Sequence, residues 1–387
     1  MTWEIIGQER AVAVLRRAVE DEARPDGRPS GRLSHAYLFV GPEHVGRATT
    51  ARRFAQALNC DQSRRRGFLA SPADPAEPGK ARLRRDEDPE ASTGVPQPPC
   101  GECRSCRLIA EDKHPDVERL GVGGICEESE HRDHSADGSR DIRICQIRRL
   151  ERVVSRTPFE ARYRVIIIDP AEALTVEAAN AFLKTLEEPP PQVVLVLITA
   201  REEALRETVR SRCRRIVFSG VPRAAIEAAL RERWDAPPEQ ASTLARLSQG
   251  RLGWAVAALQ DERLLIDRER TMDDIESLLA GGLSERFAYA GELGARFPRD
   301  PDAVHATLER WHDWWRDVLL AAAGQEELVA AEDRLDTLRS QAAQYGVRGA
   351  VQALSAVADV RRHLDEHASP TLALEVMLLE LPQAAGR

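Results

Sequence analysis

Three uninterrupted apolar runs limit the fold of this chain most: SHAYLFVGP (34–42), RVIIIDP (164–170) and VVLVLITA (193–200). Each reads as a short strand covered on both faces. The first runs into a loop at Gly41-Pro42. Helical periodicity fills the intervals, in 5–22, in TTARRFAQALNC (49–60) and in TVEAANAFLKTLEEP (175–189), the last stopped by prolines. A further short strand, RRIVFSG (214–220), closes the region. Buried strands alternating with helices predict an α/β module with a largely parallel sheet flanked by helices.

Strand signals stop at about residue 221. In VHATLERWHDWWRDVLL (304–320), helical spacing puts Val304, Leu308, Trp311, Trp315, Val318 and Leu319 on one face. Its three tryptophans are expected in a core rather than around a cofactor. The remainder reads as helical, with breaks near 220 and 270 and no internal repeat. The boundaries expected are 1–220 for the α/β module, 221–270 for a small helical domain and 271–387 for a second. Residues 61–99, dense in Pro, Gly and balanced charge, lack the apolar content to pack and are expected to be disordered. The polar stretch 121–140 reads as a second surface insertion of the same kind.

No run of 18 apolar residues crosses a membrane and the start, MTWEIIGQER, lacks the pattern of a secretory signal, so a cytoplasmic location is expected. The formal charge of -8 argues against a surface coated for nucleic acid. Yet residues 221–387, with 19 basic and 28 acidic groups, carry the acidity.

GPEHVGRAT (41–49) follows a buried strand and opens a helix, where a glycine loop and a helix N-terminus cradle phosphates. A working loop needs Lys and then Ser or Thr after the second glycine. Here stand Arg47 and Ala48. Only three of the 55 basic residues are lysines, so Arg47 alone says little. Ala48 says more, because a methyl group cannot ligate Mg²⁺. The strand VIIID (165–169) ends in Asp169, but Pro170 stands where an ATPase keeps the Glu that activates water. Gly41, Gly46, Arg47, Asp169 and Thr199 thus outline a degenerate nucleotide site at which ATP is not expected to bind.

Seven cysteines include Cys100, Cys103 and Cys106 in a CxxCxxC cluster, with Cys60 upstream. Four thiolates around one ion make a closed tetrahedral set, hence structural Zn²⁺. The 39 residues between Cys60 and Cys100 need not disturb it, since loop closure costs grow slowly with length. Cys126, Cys145 and Cys213 read as bystanders, and CEESEHRDH (126–134) is not expected to form a second metal cluster. Eight arginines against three acids in 139–164 suggest a helix projecting Arg143, Arg148, Arg149 and Arg152 toward phosphates. A solvated basic helix or a subunit interface fits those residues equally well.

AANAFLKTLEEPP (178–190), SRC (211–213), GQ (7–8), the CxxCxxC cluster and HPD (114–116) together resemble the bacterial DNA polymerase III clamp-loader subunits of the AAA+ class, over roughly residues 1–255. Two types fit, the motor (gamma/tau) and the delta-prime type. Without an intact phosphate loop or an acidic pair on the second strand, this chain resembles the delta-prime type. The resemblance implies an AAA+ module, a helical lid and a helical collar in a five-subunit ring with motor and delta subunits. It implies a stator without ATPase activity of its own, within the polymerase III holoenzyme, loading the sliding clamp at primer–template DNA. The SRC motif would present Arg212 in trans to a neighbouring subunit's nucleotide; a surface salt bridge is the other reading of that residue. The lid arginine of the family falls on Gly253, with Arg251 two residues earlier. Structural zinc is likewise implied. The competing readings are an active motor using Arg47 in place of Lys, and a purely structural scaffold.

Overall fold

The structure is a computed structural model that describes residues 3–22, 33–61, 99–126, 134, 140–366 and 368–382. These fall into two compact units, one within Met1–Arg233 and Gly250–Gly253, the other within Trp234–Gln249 and Trp254–Arg387.

In the first unit the elements run α1 (Glu9–Glu22), β1 (Ala36–Val40), α2 (Arg47–Asn59), α3 (Arg104–Ala110), β2 (Val117–Leu120), α4 (Ile144–Val154), β3 (Arg164–Ile168), α5 (Val176–Glu187), β4 (Val193–Thr199), α6 (Glu207–Arg210), β5 (Arg214–Val217) and α7 (Arg223–Trp234). The strands form one sheet in the order β2-β3-β4-β1-β5, and every neighbouring pair is parallel. Both faces are covered. Tyr37, Phe39, Val165, Ile167, Val194 and Val196 point into one core with Phe54 and Leu58 of α2. Leu38, Val40, Ile166, Ile168, Leu195 and Leu197 point into the other with Leu150 of α4 and Phe182 of α5. Alternate residues of one strand thus enter opposite cores, which is why polar residues in the runs are confined to strand ends, at Arg164 and Thr199. Emptying either core by Phe54→Ala or Phe182→Ala would cost about 3–5 kcal/mol.

The strand β2 is absent from the sequence expectation. Its residues VERL keep Val117 and Leu120 inside but turn Glu118 and Arg119 outward at the sheet edge. The insertion expected over 121–140 also needs correction: Cys126 and His134 are buried in the fold. Residues 127–133 and 135–139, like 62–98 of the first expected insertion, lie outside the described residues.

The second unit is helical, with α8 (Pro238–Leu247), α9 (Leu252–Gln260, whose first two residues fall in the first unit), α10 (Arg263–Ala280), α11 (Leu283–Arg296), α12 (Pro301–Ala322), α13 (Leu335–Asp365) and α14 (Pro370–Glu380). The helix α13 contains a non-helical residue, Gly346 at φ 62°. Trp311, Trp314 and Trp315 are all fully buried in the core with Val304, Leu308 and Val318, while Leu319 is partly buried. Gln341 takes the Trp314 indole N–H at 2.8 Å and Tyr289 that of Trp311 at 3.2 Å. No helix among the described residues is long and apolar enough to cross a membrane.

Candidate functional site

The phosphate-type loop joins β1 to α2. Its first glycine is dictated by packing: at Gly41, with φ +156°, a Cβ would lie 2.3 Å from the Phe218 carbonyl oxygen. Gly46 caps α2 at φ 98°, a left-handed conformation natural to glycine. The Gln8 amide fastens the loop, donating to the carbonyls of Val45 at 3.2 Å and Ser219 at 2.6 Å. Downstream, the Gly253 N–H donates to the His44 carbonyl at 2.8 Å, and a Cβ at Gly253 would meet that oxygen at 3.1 Å. The position of the family's lid arginine is therefore spent on close backbone approach.

Within the loop, Arg47 is buried. Burial pulls its pKa below the ordinary value, against the opposing pull of Glu172, Asp169 and Glu43. One guanidinium nitrogen, Nη1, has no hydrogen-bond partner among the described residues. Thr50, two positions past Ala48, turns its hydroxyl back onto the Gly46 carbonyl at 2.8 Å and is not available to a cation in that rotamer. Asp169 is held by Arg119 at 2.9 Å. Thr199 is buried, and its hydroxyl oxygen accepts the Arg201 N–H at 3.0 Å. Glu172, which sequence reasoning did not single out, accepts the Ala200 N–H at 3.1 Å and faces Arg47.

The four expected cysteines converge. Cys60 ends α2, Cys103 caps α3, Cys106 lies in its first turn, and Cys100 precedes both. The Sγ of Cys60 is 3.6 Å from that of Cys100, which is 3.9 Å from that of Cys106; all four lie within 4.8 Å of one another. Backbone N–H groups of Cys103 and Cys106 point at the sulfurs of Cys100 and Cys103, at 3.3 and 3.4 Å. Burial pushes the Cys103 thiol up to about 11, and Cys106 is raised further by its neighbour Cys60 and by burial. Four thiols packed this closely are unfavourable as anions alone and favourable around a cation, a donor set fit for a zinc-type ion.

Beside it, the HPD motif is a structural knot. Asp116, buried, accepts N–H bonds from Phe159 (2.7 Å), Glu160 (2.9 Å) and Ala161 (2.9 Å) and pairs with buried Arg164 at 2.9 Å. The ring nitrogen Nδ1 of His114 accepts the Asp116 N–H at 3.1 Å, and burial keeps this imidazole below its ordinary pKa.

Of the four arginines expected to face phosphates, Arg148 and Arg152 are exposed one turn apart on α4. Arg149 is half-buried and bound to Glu118 of β2, and Arg143 serves as the helix N-cap. Arg212 lies just past α6, where it donates to the Thr208 carbonyl at 2.8 Å and pairs with Glu187 at the end of α5. Exposed pairs of this sort are worth about 0–1 kcal/mol, so Arg212 is readily exchanged to another anion. Cys126 and Cys145, read as bystanders, are brought together with His134, while Cys213 stands apart.

Fold and site together define a parallel α/β module with a degenerate glycine loop between β1 and α2, carrying a four-cysteine group and followed by a helical unit. A family profile described as "DNA polymerase III, delta subunit" matches residues 85–222. The chain is 24% identical to DNA polymerase III subunit delta' of Bacillus subtilis, over 97% of this chain and 96% of that one. It is 33% identical to the delta' subunit of Pseudomonas aeruginosa over 56% of this chain and 53% of the relative. With the gamma/tau subunit of Mycobacterium tuberculosis identity is 26%, over 99% of this chain but only 61% of that longer protein. Among solved structures, a gamma subunit-related protein of Thermotoga maritima aligns over 95% of this chain and 97% of its own at 17% identity and a TM-score of 0.32. By sequence the chain is similar to DNA polymerase III subunits of the delta-prime and gamma/tau kind.

Proposed function

We propose that this chain acts as a delta-prime-type subunit, a stator that hydrolyses no ATP and lends Arg212 to the nucleotide of a neighbouring motor subunit. The observation that carries this reading is the state of its own loop. Ala48 offers no Mg²⁺ ligand, Asp169 is paired with Arg119, Pro170 stands where the water-activating acid would be, and Arg47 takes the place of the lysine. Each loss alone would slow hydrolysis; together they remove the hydroxyl that ligates the cation and the acid that activates water. Arg212, which reaches the exposed Glu187, the Thr208 carbonyl and the Ser211 hydroxyl, would exchange the ion pair for a phosphate.

On this reading the α/β module, a helical lid and a helical collar assemble a heteropentamer with motor and delta subunits in the cytoplasm; the break expected near 270 is absent, since α10 runs unbroken from Arg263 to Ala280. The four cysteines hold structural zinc. Arg148 and Arg152 touch the primer–template backbone without reading sequence, and the sliding clamp is engaged through the assembled ring. Two assays on the purified chain test the stator reading: ATP titration by calorimetry and steady-state phosphate release. No micromolar binding and no turnover are expected. Turnover that disappears with Arg47→Ala would establish the active-motor alternative instead.

A further inference from the structure

We propose a second metal site, formed by Cys126, His134 and Cys145 and suited to Zn²⁺. All three side chains are buried, at 0%, 1% and 6% exposure, and their ligand atoms lie within 4.8 Å of one another. The His134 Nε2 is 3.1 Å from the Cys145 Sγ. Two sulfurs and an imidazole nitrogen are the borderline-soft donors zinc prefers, and three protein ligands leave its fourth position to solvent or another donor.

The surroundings fix these residues independently of any ion. After β2 the chain turns through Gly123 and Gly124, at φ +76° and +82°, before reaching Cys126. The Gly124 carbonyl accepts the His134 N–H at 2.9 Å, which holds the His134 backbone beside the turn that leads into Cys126. Gln146 on α4 donates its amide to the Gly121 carbonyl at 3.4 Å and also to that of Gly123. Cys145 sits beside it in the first turn of α4, anchored upstream by Ile142, whose N–H reaches the Ala173 carbonyl at 2.7 Å. A disulfide would use both sulfurs and give the imidazole no comparable role, whereas a cation engages all three groups. The ion would tie the loop after β2 to the helix that presents Arg148 and Arg152.

The site is separate from the four-cysteine group and does not depend on the stator reading. The test is metal counting on the full-length chain by native mass spectrometry and elemental analysis. Two zinc ions per chain are expected, one remaining in Cys126→Ser/Cys145→Ser and one in Cys100→Ser/Cys103→Ser. Cobalt supplies the second readout: the Cys100→Ser/Cys103→Ser chain refilled with Co²⁺ should still show sulfur-to-cobalt charge transfer, lost on adding Cys126→Ser. His134→Cys should retain the second ion. A wild-type chain with one zinc, lost entirely in Cys100→Ser/Cys103→Ser, overturns the proposal. So does a Cys126–Cys145 disulfide in the freshly isolated protein.

Discussion

Replacing Asp116 by Ala removes the acceptor on which the turn before β3 is built. The carboxylate takes three backbone N–H groups and the guanidinium of Arg164, itself only 8% exposed in its side chain. Burial by itself would raise the Asp116 pKa, but the donors of Glu160, Phe159 and Ala161, with Arg164, hold it below the ordinary value of 3.8. Removing one partner of a buried charged pair costs about 3–5 kcal/mol, because the other is left uncompensated. Arg164 keeps the Val153 and Thr157 carbonyls, which argues for the lower part of that range. Against an ordinary stability of about 5–15 kcal/mol, the variant should still fold. Hydrogen exchange read by mass spectrometry is the assay, since the amides of 159–161 should lose protection first, by about a hundredfold for 3 kcal/mol. The lowered pKa fixes the sign with pH. The stabilisation is present above the unfolded value near 3.8 and is lost as pH falls through the folded one, so the two proteins should converge in acid. A loss below about 1 kcal/mol, or unchanged exchange at 159–161, would refute this account of the motif.

Stripping the four-cysteine group with a strong chelator should release zinc and lower the stability of the α/β unit. The loss is about 4 kcal/mol where free zinc had stood ~1,000-fold above its Kd, read as a fall in Tm. In the helical unit, burial pushes the Asp317 carboxyl up to about 6, against the N–H donors of Ala331 and Ala330 and the charge of Arg316. A raised carboxyl favours folding below its unfolded pKa and loses that benefit as pH rises through about 6. Asp317→Asn should therefore gain about 2 kcal/mol on the wild type between pH 4 and 7 in urea unfolding; a pH-independent difference would refute it. Arg148→Ala/Arg152→Ala should reduce the salt slope of DNA binding by the assembled complex by about 1–2, uniformly across sequences.

The sheet was legible in the sequence because covering both faces forces continuous apolar runs, and Cys60 could be joined to its CxxCxxC partners because three close thiols already demand a fourth. The edge strand β2 was not legible. Four residues with Glu118 and Arg119 at their centre give no periodic signal, and their partners Arg149 and Asp169 lie far along the chain. The same distance hid the fate of Arg149, which spacing alone placed with Arg148 and Arg152. Cys126, His134 and Cys145 come from a loop and a helix with no motif spacing, so only the fold brings them together. Ala48 and Pro170 were readable as losses, but the burial of Arg47 and the pairing of Asp169 with Arg119 needed coordinates.

The most direct measurement is DNA-stimulated ATP hydrolysis by the complex reconstituted from this chain with its motor and delta subunits, comparing wild type with Arg212→Ala at equal assembly. The contribution of the motor site that adjoins this chain should fall by about a thousandfold or more, as for an arginine supplied in trans. Unchanged turnover in a fully assembled Arg212→Ala complex would contradict the account.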